Sequence, residues 1–425
     1  MTLRRALPRI LAVACLALAA AAAMSSPGPV RIGEFEPLSI RTPFPYPVSF
    51  GSDAREWTVA YPGATYIRVH FSRFDLAPGD SLELLDGLGR TVAKYEGRGI
   101  HGTGEFWAHT VGGDTAMLRL QATAGGDSGF EIDGYGRGTA SIGLEPGLED
   151  PGAEVVPESV CGTQDWRDAK CYSGSSQYDN ARASVKAIIG CCSSCTAFKV
   201  SDAGQFLTNN HCTATDAEVK STQLLMMYEA TSCGSGSTAN GGSVMGSSLL
   251  ATDFTLDYSL MSTSGDATSI PCLTLSPTQV ANGTRIYIAG HPNGGSKKLS
   301  IESDRNAGGV CLVDDNSLTG NAPGTDVGYY CDTIGGSSGS PVLDYATHAV
   351  VALHHFGGCL NSGGRSDLIV NQIGGLIGTC TPGGGGGGGG GGEPPTCAPK
   401  GATCTLAADC CSGKCAGSRG KKTCK

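Results

Sequence analysis

The sequence predicts an all-β chain divided into several separately folded units. Apolar and polar residues alternate at period two through many of its stretches, as in "TYIRVHF" and "AMLRLQA". Glycine and proline are frequent, with 65 and 21 copies among 425 residues, and only 16% of residues are charged. Short strands joined by tight turns fit that composition, whereas long amphipathic helices would need more charge and less glycine. Stretches rich in glycine, proline or acid interrupt the alternation and mark boundaries between units.

Residues 1–23 place Arg4, Arg5 and Arg9 before an apolar, alanine-rich run, the pattern of a secretory signal peptide that is too short for a membrane anchor. Cys15 lies inside that run, and apolar residues continue past it, which argues against a lipoprotein site. Residues 24–157 read as a small antiparallel β-sandwich followed by a linker. "TYIRVHF" sets Ile67, Val69 and Phe71 on one face and Arg68 and His70 on the other, and "SLELL" runs into the hairpin signal "DGLGR". The acidic stretch 143–159 is an exposed linker open to nicking. Residues 158–381 return to β patterning. Residues 382–396 carry ten consecutive glycines, Gly383 to Gly392, and form a flexible tether. Residues 397–425 hold six cysteines in a unit too small to be stable by burial alone.

A net charge of −9 argues against nucleic-acid binding, and no later run is long and apolar enough to span a membrane. Nineteen cysteines less Cys15 leave an even number in an exported chain, so disulfides are expected. "CCSSC" at 191–195, near His211 and Cys212, could be drawn as a zinc site, but export and irregular spacing favour disulfides. No metal or cofactor is expected.

Chemistry is concentrated in 158–381. "CDTIGGSSGSPV", residues 331–342, is a loop poor in side chains between two apolar runs. It suits a place where backbone N–H groups converge on a substrate atom. Two other motifs complete a nucleophilic set. "FLTNNHC" delivers His211 at the end of an apolar strand, and "TLDYSLM" places Asp257 before alternating apolar residues. Ser338 in "GGSSGSP" would be the nucleophile, His211 its base, and Asp257 the carboxylate orienting that base. Asp253, four residues earlier, is the rival carboxylate.

These motifs, "TNNHC", "DYSLM" and "GSSGSP", resemble those of chymotrypsin-fold (trypsin-like) serine endopeptidases, in particular the exported bacterial lysyl endopeptidase-like branch, over roughly 158–380. The resemblance implies a double antiparallel β-barrel with the site between barrels. It also implies catalytic His211, Asp257 and Ser338, an oxyanion hole from the N–H groups of Gly336 and Ser338, and hydrolysis of protein or peptide substrates through an acyl-enzyme. Asp332, six residues before Ser338, matches the base of a trypsin-like primary pocket. Asp367 in "GGRSDLI" resembles the carboxylate that selects lysine, and His354 matches a pocket-lining histidine. Cleavage after Lys or Arg follows from these three. The tryptophan that stacks on that histidine has no counterpart, because Trp166 lies near the start of the domain. His291 in "GHPNGG" reads as structural. Ser337 stands where pancreatic members carry an aspartate that pairs with a new N-terminus, so activation should differ. Residues 24–157 are expected to be a propeptide that covers the cleft or aids folding.

Family pairings imply Cys195–Cys212, Cys161–Cys359 and Cys171–Cys233. Cys191, Cys192, Cys272, Cys311, Cys331 and Cys380 remain, with Cys311–Cys331 as one candidate pair. The sandwich resembles CUB-like or jelly-roll modules. The C-terminal spacing, centred on "DCCSGKC", resembles inhibitor cystine-knot (knottin) modules, which implies Cys397–Cys411, Cys404–Cys415 and Cys410–Cys424 and a binding or targeting role. The expectation is therefore a secreted, monomeric serine endopeptidase. The competing reading is an inactive protease-like scaffold in a secreted binding or toxin-type protein.

Overall fold

The computed structural model describes residues 28–48, 55–139, 160–381, 415–417 and 423–424. The signal peptide, the linker 143–159, the glycine tether and the three knottin pairings lie outside the described residues. In the C-terminal unit, Cys415–Ala416 pairs antiparallel with Thr423–Cys424.

The N-terminal region is a two-sheet sandwich. One sheet orders Gly33–Arg41, Phe130–Gly138, Tyr66–Phe74 and Phe106–Trp107, and the other orders Arg55–Ala60, Thr115–Gln121, Ser81–Asp86 and Thr91–Glu96. Ile67, Val69 and Phe71 enter the core between the sheets, against Leu84, Leu118 and Phe130. The opposite face departs from the expectation. Arg68 is fully buried, because the segment at 188–190 of the following region covers it. Its Nε donates to the Ala108 carbonyl at 2.8 Å and its Nη1 to the carbonyls of Ile188, at 3.2 Å, and Gly190. Sealing a guanidinium from water is costly unless acceptors replace its hydration; the carbonyls at 188 and 190 replace part of it, while Nη2 is buried with no partner among the described residues.

Residues 160–381 open with a closed barrel of six strands: Ser193–Lys199, Ser184–Ile189, Gln223–Leu225, Ser243–Asp253, Tyr258–Ser264 and Gln205–Thr208, the last returning to the first. Closure removes the free edges that an open sheet would present. Val30–Arg31 adds to it by pairing with Ser193 and Ser194. A second sheet runs Arg167–Asp168, Lys298–Ser300, Ile286–Gly290, Pro341–Asp344, Val350–Phe356, Asn361–Arg365, Asp326–Tyr329 and Val313–Leu318. A bridge from Arg285 to Leu312 links its Val313–Leu318 end back to the start of Ile286–Gly290. A shared cluster including Phe198, Leu207, Tyr258, Tyr287, Leu299 and Leu353 packs residues of both sheets. The helix Ser366–Ile373 docks there through Ile369 and Ile373.

Six disulfides staple the domain. Cys161–Cys359, Cys171–Cys233, Cys195–Cys212 and Cys311–Cys331 are joined. The cysteines left open by the sequence pair as Cys272–Cys380 and as the adjacent Cys191–Cys192. The adjacent pair sits at the turn between Ser184–Ile189 and Ser193–Lys199, where the sandwich docks.

Candidate active site

Each chemical group reaches the site on a short, tightly held turn. His211 follows the strand Gln205–Thr208. Its turn is closed by bonds from the Cys212 and Thr213 amides to the Asn209 carbonyl and is tied to the neighbouring strand by Cys195–Cys212. Asp257 ends the hairpin between Ser243–Asp253 and Tyr258–Ser264 at φ 50°. A left-handed conformation in a non-glycine residue costs roughly 1–2 kcal/mol and persists only where its surroundings enforce it. They do so here: Asn209 Nδ2 donates to the Asp257 carbonyl at 2.8 Å, and Asp253 Oδ1 accepts the Leu256 amide at 2.7 Å. Asp253, the rival carboxylate, thus holds the turn that presents Asp257.

His211 and Asp257 meet at two points. His211 Nδ1 lies 2.6 Å from Asp257 Oδ2, and the His211 amide donates to Oδ1 at 2.9 Å. A carboxylate accepts only, so Nδ1 carries a proton, and in the neutral ring the lone pair is on Nε2. Nε2 is buried and has no hydrogen-bond partner among the described residues. No hydrogen bond joins it to Ser338 Oγ in this arrangement.

Sequence reasoning missed two members of this network. His355 is buried between two carboxylates, with Nδ1 3.0 Å from Asp257 Oδ2 and Nε2 2.6 Å from Asp326 Oδ2. Asp326 is held in turn by the Ser362 hydroxyl at 2.7 Å and the Thr325 hydroxyl at 3.0 Å. Both ring nitrogens of His355 face acceptors, so the ring is an imidazolium. Burial would lower its pKa, but the bonds to Asp257 and Asp326 and their charges raise it to about 9. Burial would likewise raise the Asp257 carboxyl. The bonds from His211 and His355 override it and hold that group well below the usual carboxylate range. The available signal was "LHHF": both faces of Val350–Phe356 are buried, so both adjacent histidines need partners.

His354 is the other one. Its Nδ1 lies 2.8 Å from the Tyr329 hydroxyl. Burial, reinforced by the charge on His355, pushes it down to about 3, so it is neutral. His291 is also buried, with its Nδ1 3.0 Å from the Gly295 carbonyl.

The loop before Ser338 is fixed through its carbonyls. Gly335 O accepts from the Asn293 amide at 2.7 Å, Gly336 O from Thr196 Oγ1 at 2.9 Å, Ser337 O from Ser340 Oγ at 2.6 Å, and Ser338 O from the Thr196 amide at 2.8 Å. The amides of Gly336 and Ser338 have no acceptor among the described residues. Four anchored carbonyls and two free amides make a rigid donor pair, the arrangement an oxyanion site needs. Gly336 sits at φ 91°, and a Cβ there would lie 2.8 Å from both the Gly294 amide nitrogen and the His291 carbonyl oxygen. Only glycine fits.

The two carboxylates matched to a primary pocket already hold hydrogen-bond partners. Asp332 was read as a pocket floor for a basic side chain, but its two oxygens accept the backbone amides of Cys161 at 2.8 Å and Asp165 at 2.7 Å. It anchors the start of the domain, next to Cys161–Cys359. Asp367 forms a two-point pair with Arg365, at 3.0 and 2.6 Å, at the first turn of Ser366–Ile373. Neither carboxylate is open in this structure. Cys195, His211 and Cys212 bring candidate metal-ligand atoms within 4.8 Å of one another, but the two sulfurs are bonded to each other and offer no thiolate.

Residues 195–353 match the family model of the trypsin-like peptidase domain. The secreted RxLR effector protein 73 of Plasmopara viticola is 32% identical over 339 residues, covering 73% of this chain and 79% of that protein. The lysyl endopeptidase of Pseudomonas aeruginosa (strain PAO1) is 25% identical over 292 residues, covering 63% of this chain and 60% of that enzyme's length. Among solved structures, a Glu endopeptidase in complex with MPD aligns at 18% identity and a TM-score of 0.38, over 51% of this chain and 98% of its own. The chain belongs to the same family as the Plasmopara viticola protein, and its residues 195–353 are a trypsin-like peptidase domain of the chymotrypsin fold.

Proposed function

We propose that the protein is a secreted serine endopeptidase. One observation carries the reading: a rigid pair of unclaimed amides at Gly336 and Ser338 stands in the same domain as an imidazole, His211, whose Nε2 lone pair is unclaimed and whose other nitrogen is held by Asp257. In the reaction, Ser338 Oγ closes on the substrate carbonyl carbon as its proton passes to His211 Nε2. The carbonyl oxygen becomes an oxyanion held by the two amides. The C–N bond then breaks, His211 returns the proton to the leaving amine, and an acyl-enzyme remains. Water repeats the sequence and frees the acid. Asp257 keeps the proton on Nδ1 and stabilises the imidazolium, and His355 holds Asp257 in place.

A basic residue before the scissile bond is part of the proposal. The partners of Asp332 are backbone amides that cannot leave, whereas the partner of Asp367 is a side chain, Arg365, that a substrate cation could displace. Asp367 is the favoured carboxylate on that ground. Secretion is supported by the disulfides and by the N-terminal 23 residues. Residues 24–157 and 158–381 are proposed as distinct domains, with maturation in 143–159 and a knottin-like module at 397–425.

The test is hydrolysis of matched peptides carrying Lys, Arg or Leu before the scissile bond, with Ser338→Ala beside the wild type. Cleavage by the wild type alone, fastest after Lys, supports the whole reading. Equal rates on all three peptides remove the basic preference. No cleavage by the secreted wild type favours the inactive scaffold.

A further inference from the structure

We infer that the N-terminal strand Val30–Arg31, with Ile32 behind it, positions the oxyanion loop, so that the sandwich acts as a resident activator of the peptidase domain. This rests on the endopeptidase reading above.

Three successive contacts make the case. First, the strand is part of the barrel. Val30 lies opposite Ser194 and Arg31 opposite Ser193, and the Ile32 amide donates to the Cys192 carbonyl at 2.8 Å. Ile32 is buried in a cluster with Tyr66 of the sandwich and Ile188 and Leu225 of the barrel. Second, the turn after His291 packs on that strand. A Cβ at Gly294 would fall 2.6 Å from Ile32 Cγ2, so bare backbone fills the space. Third, the same turn bears on the loop. The Asn293 amide donates to the Gly335 carbonyl, and a Cβ at Gly336 would meet Gly294, His291 and, at 3.0 Å, Val30 Cγ1. A side chain of the N-terminal strand that leads into the sandwich therefore packs against Gly336, the residue proposed to offer one of the two oxyanion amides.

Such a loop needs a buttress. Its glycines permit many conformations, and free amides aimed at one point are favoured only when something fixes the peptide planes. Ser337 has no carboxylate with which to recruit an ammonium for that purpose. The strand supplies the support sterically.

The sandwich is also fastened too well to be a casual escort. Tyr66 Oη donates to the Cys191 carbonyl at 2.7 Å, the Thr110 amide and hydroxyl reach Gln223 Oε1 at 2.8 and 2.7 Å, and His101 Nε2 lies 3.0 Å from the Lys220 carbonyl. Departure would also strip buried Arg68 of its acceptors at 188 and 190. A cut in 143–159 therefore leaves the two regions together.

The experiment compares full-length wild type with Val30→Ala, Val30→Gly and, as a control, Val59→Ala, which trims the sandwich core away from the loop. Peptide hydrolysis, labelling of Ser338 by a fluorophosphonate, affinity for a peptide aldehyde and thermal unfolding are measured on each. The expected result is a fall in kcat of about 10-fold for Val30→Ala and about 100-fold for Val30→Gly. KM should stay within twofold, aldehyde affinity should fall in step with kcat, and the folded fraction should be unchanged. Val59→Ala should melt earlier yet keep its kcat. Unchanged kcat in both Val30 variants, or an equal fall in Val59→Ala, overturns the inference while the hydrolase reading stands. A wild-type chain that neither labels at Ser338 nor cleaves peptide overturns the hydrolase reading and this inference with it.

Discussion

The loop 335–338 and the carboxylates Asp332 and Asp367 use hydrogen-bonding capacity in opposite ways. In the loop every carbonyl is anchored, and the amides of Gly335, Gly336 and Ser338 are left open. In the carboxylates both oxygens are taken, by backbone amides at Asp332 and by Arg365 at Asp367. A buried polar group without a partner is costly, so unpaired donors and an unpaired acceptor in one domain suit a place that a substrate fills. The open amides and the open His211 Nε2 make the loop the candidate reacting centre, whereas Asp332 and Asp367 already spend their oxygens on bonds within the fold. A residue's match to a motif cannot by itself distinguish the two.

The largest effects fall on the open side. Ser338→Ala or His211→Ala should lower kcat by about 10⁴- to 10⁶-fold, measured on a peptide ester, with little change in folding. Gly336→Ala should lower kcat by about 10²- to 10³-fold, because its Cβ pushes against the 291–294 turn and turns one amide away. Retained activity in Gly336→Ala would remove the oxyanion assignment.

His355 lies between the two classes, since it is fully satisfied yet touches Asp257. Its folded pKa of about 9 exceeds its ordinary 6.5. The stability it contributes is therefore complete below pH 6.5 and is lost as the pH rises from there to about 9. The swing is on the order of 3 kcal/mol. Wild-type thermal stability should decline across that window, and His355→Gln should start lower and stay flat. The same variant should reduce kcat more than it raises KM, because Asp257 loses one of its two imidazole partners.

The smallest effects separate the carboxylates. Asp332→Asn leaves a backbone amide facing an NH₂ group and should cost about 1–3 kcal/mol of stability with no change in the ratio of Lys to Leu cleavage. Asp367→Asn should barely change unfolding but raise KM for lysine peptides about tenfold. The reverse pattern would move the primary pocket to Asp332.

Much of this was legible in the chain because the groups concerned sit on short local motifs. "TNNHC" leaves the end of one strand and "DYSLM" opens another from a turn, and the structure brings His211 and Asp257 to within 2.6 Å. The β character of both halves followed from period-two alternation. What the sequence withheld depends on three-dimensional neighbours. Arg68 belongs to an outward sandwich face, and only the docked barrel makes that face an interior. Asp326 gives no local sign of bonding to His355. Cys272 and Cys380 are 108 residues apart, and nothing in their flanks pairs them. Cys191 and Cys192, being adjacent, invite bridges to distant partners more readily than to each other.

The most direct test of the central claim is to treat the secreted protein with a fluorophosphonate and locate the adduct by peptide mass spectrometry. The account predicts one phosphonylated residue, Ser338, with labelling abolished by Ser338→Ala and slowed by His211→Ala. Labelling at another serine, or persistent labelling in Ser338→Ala, would contradict it.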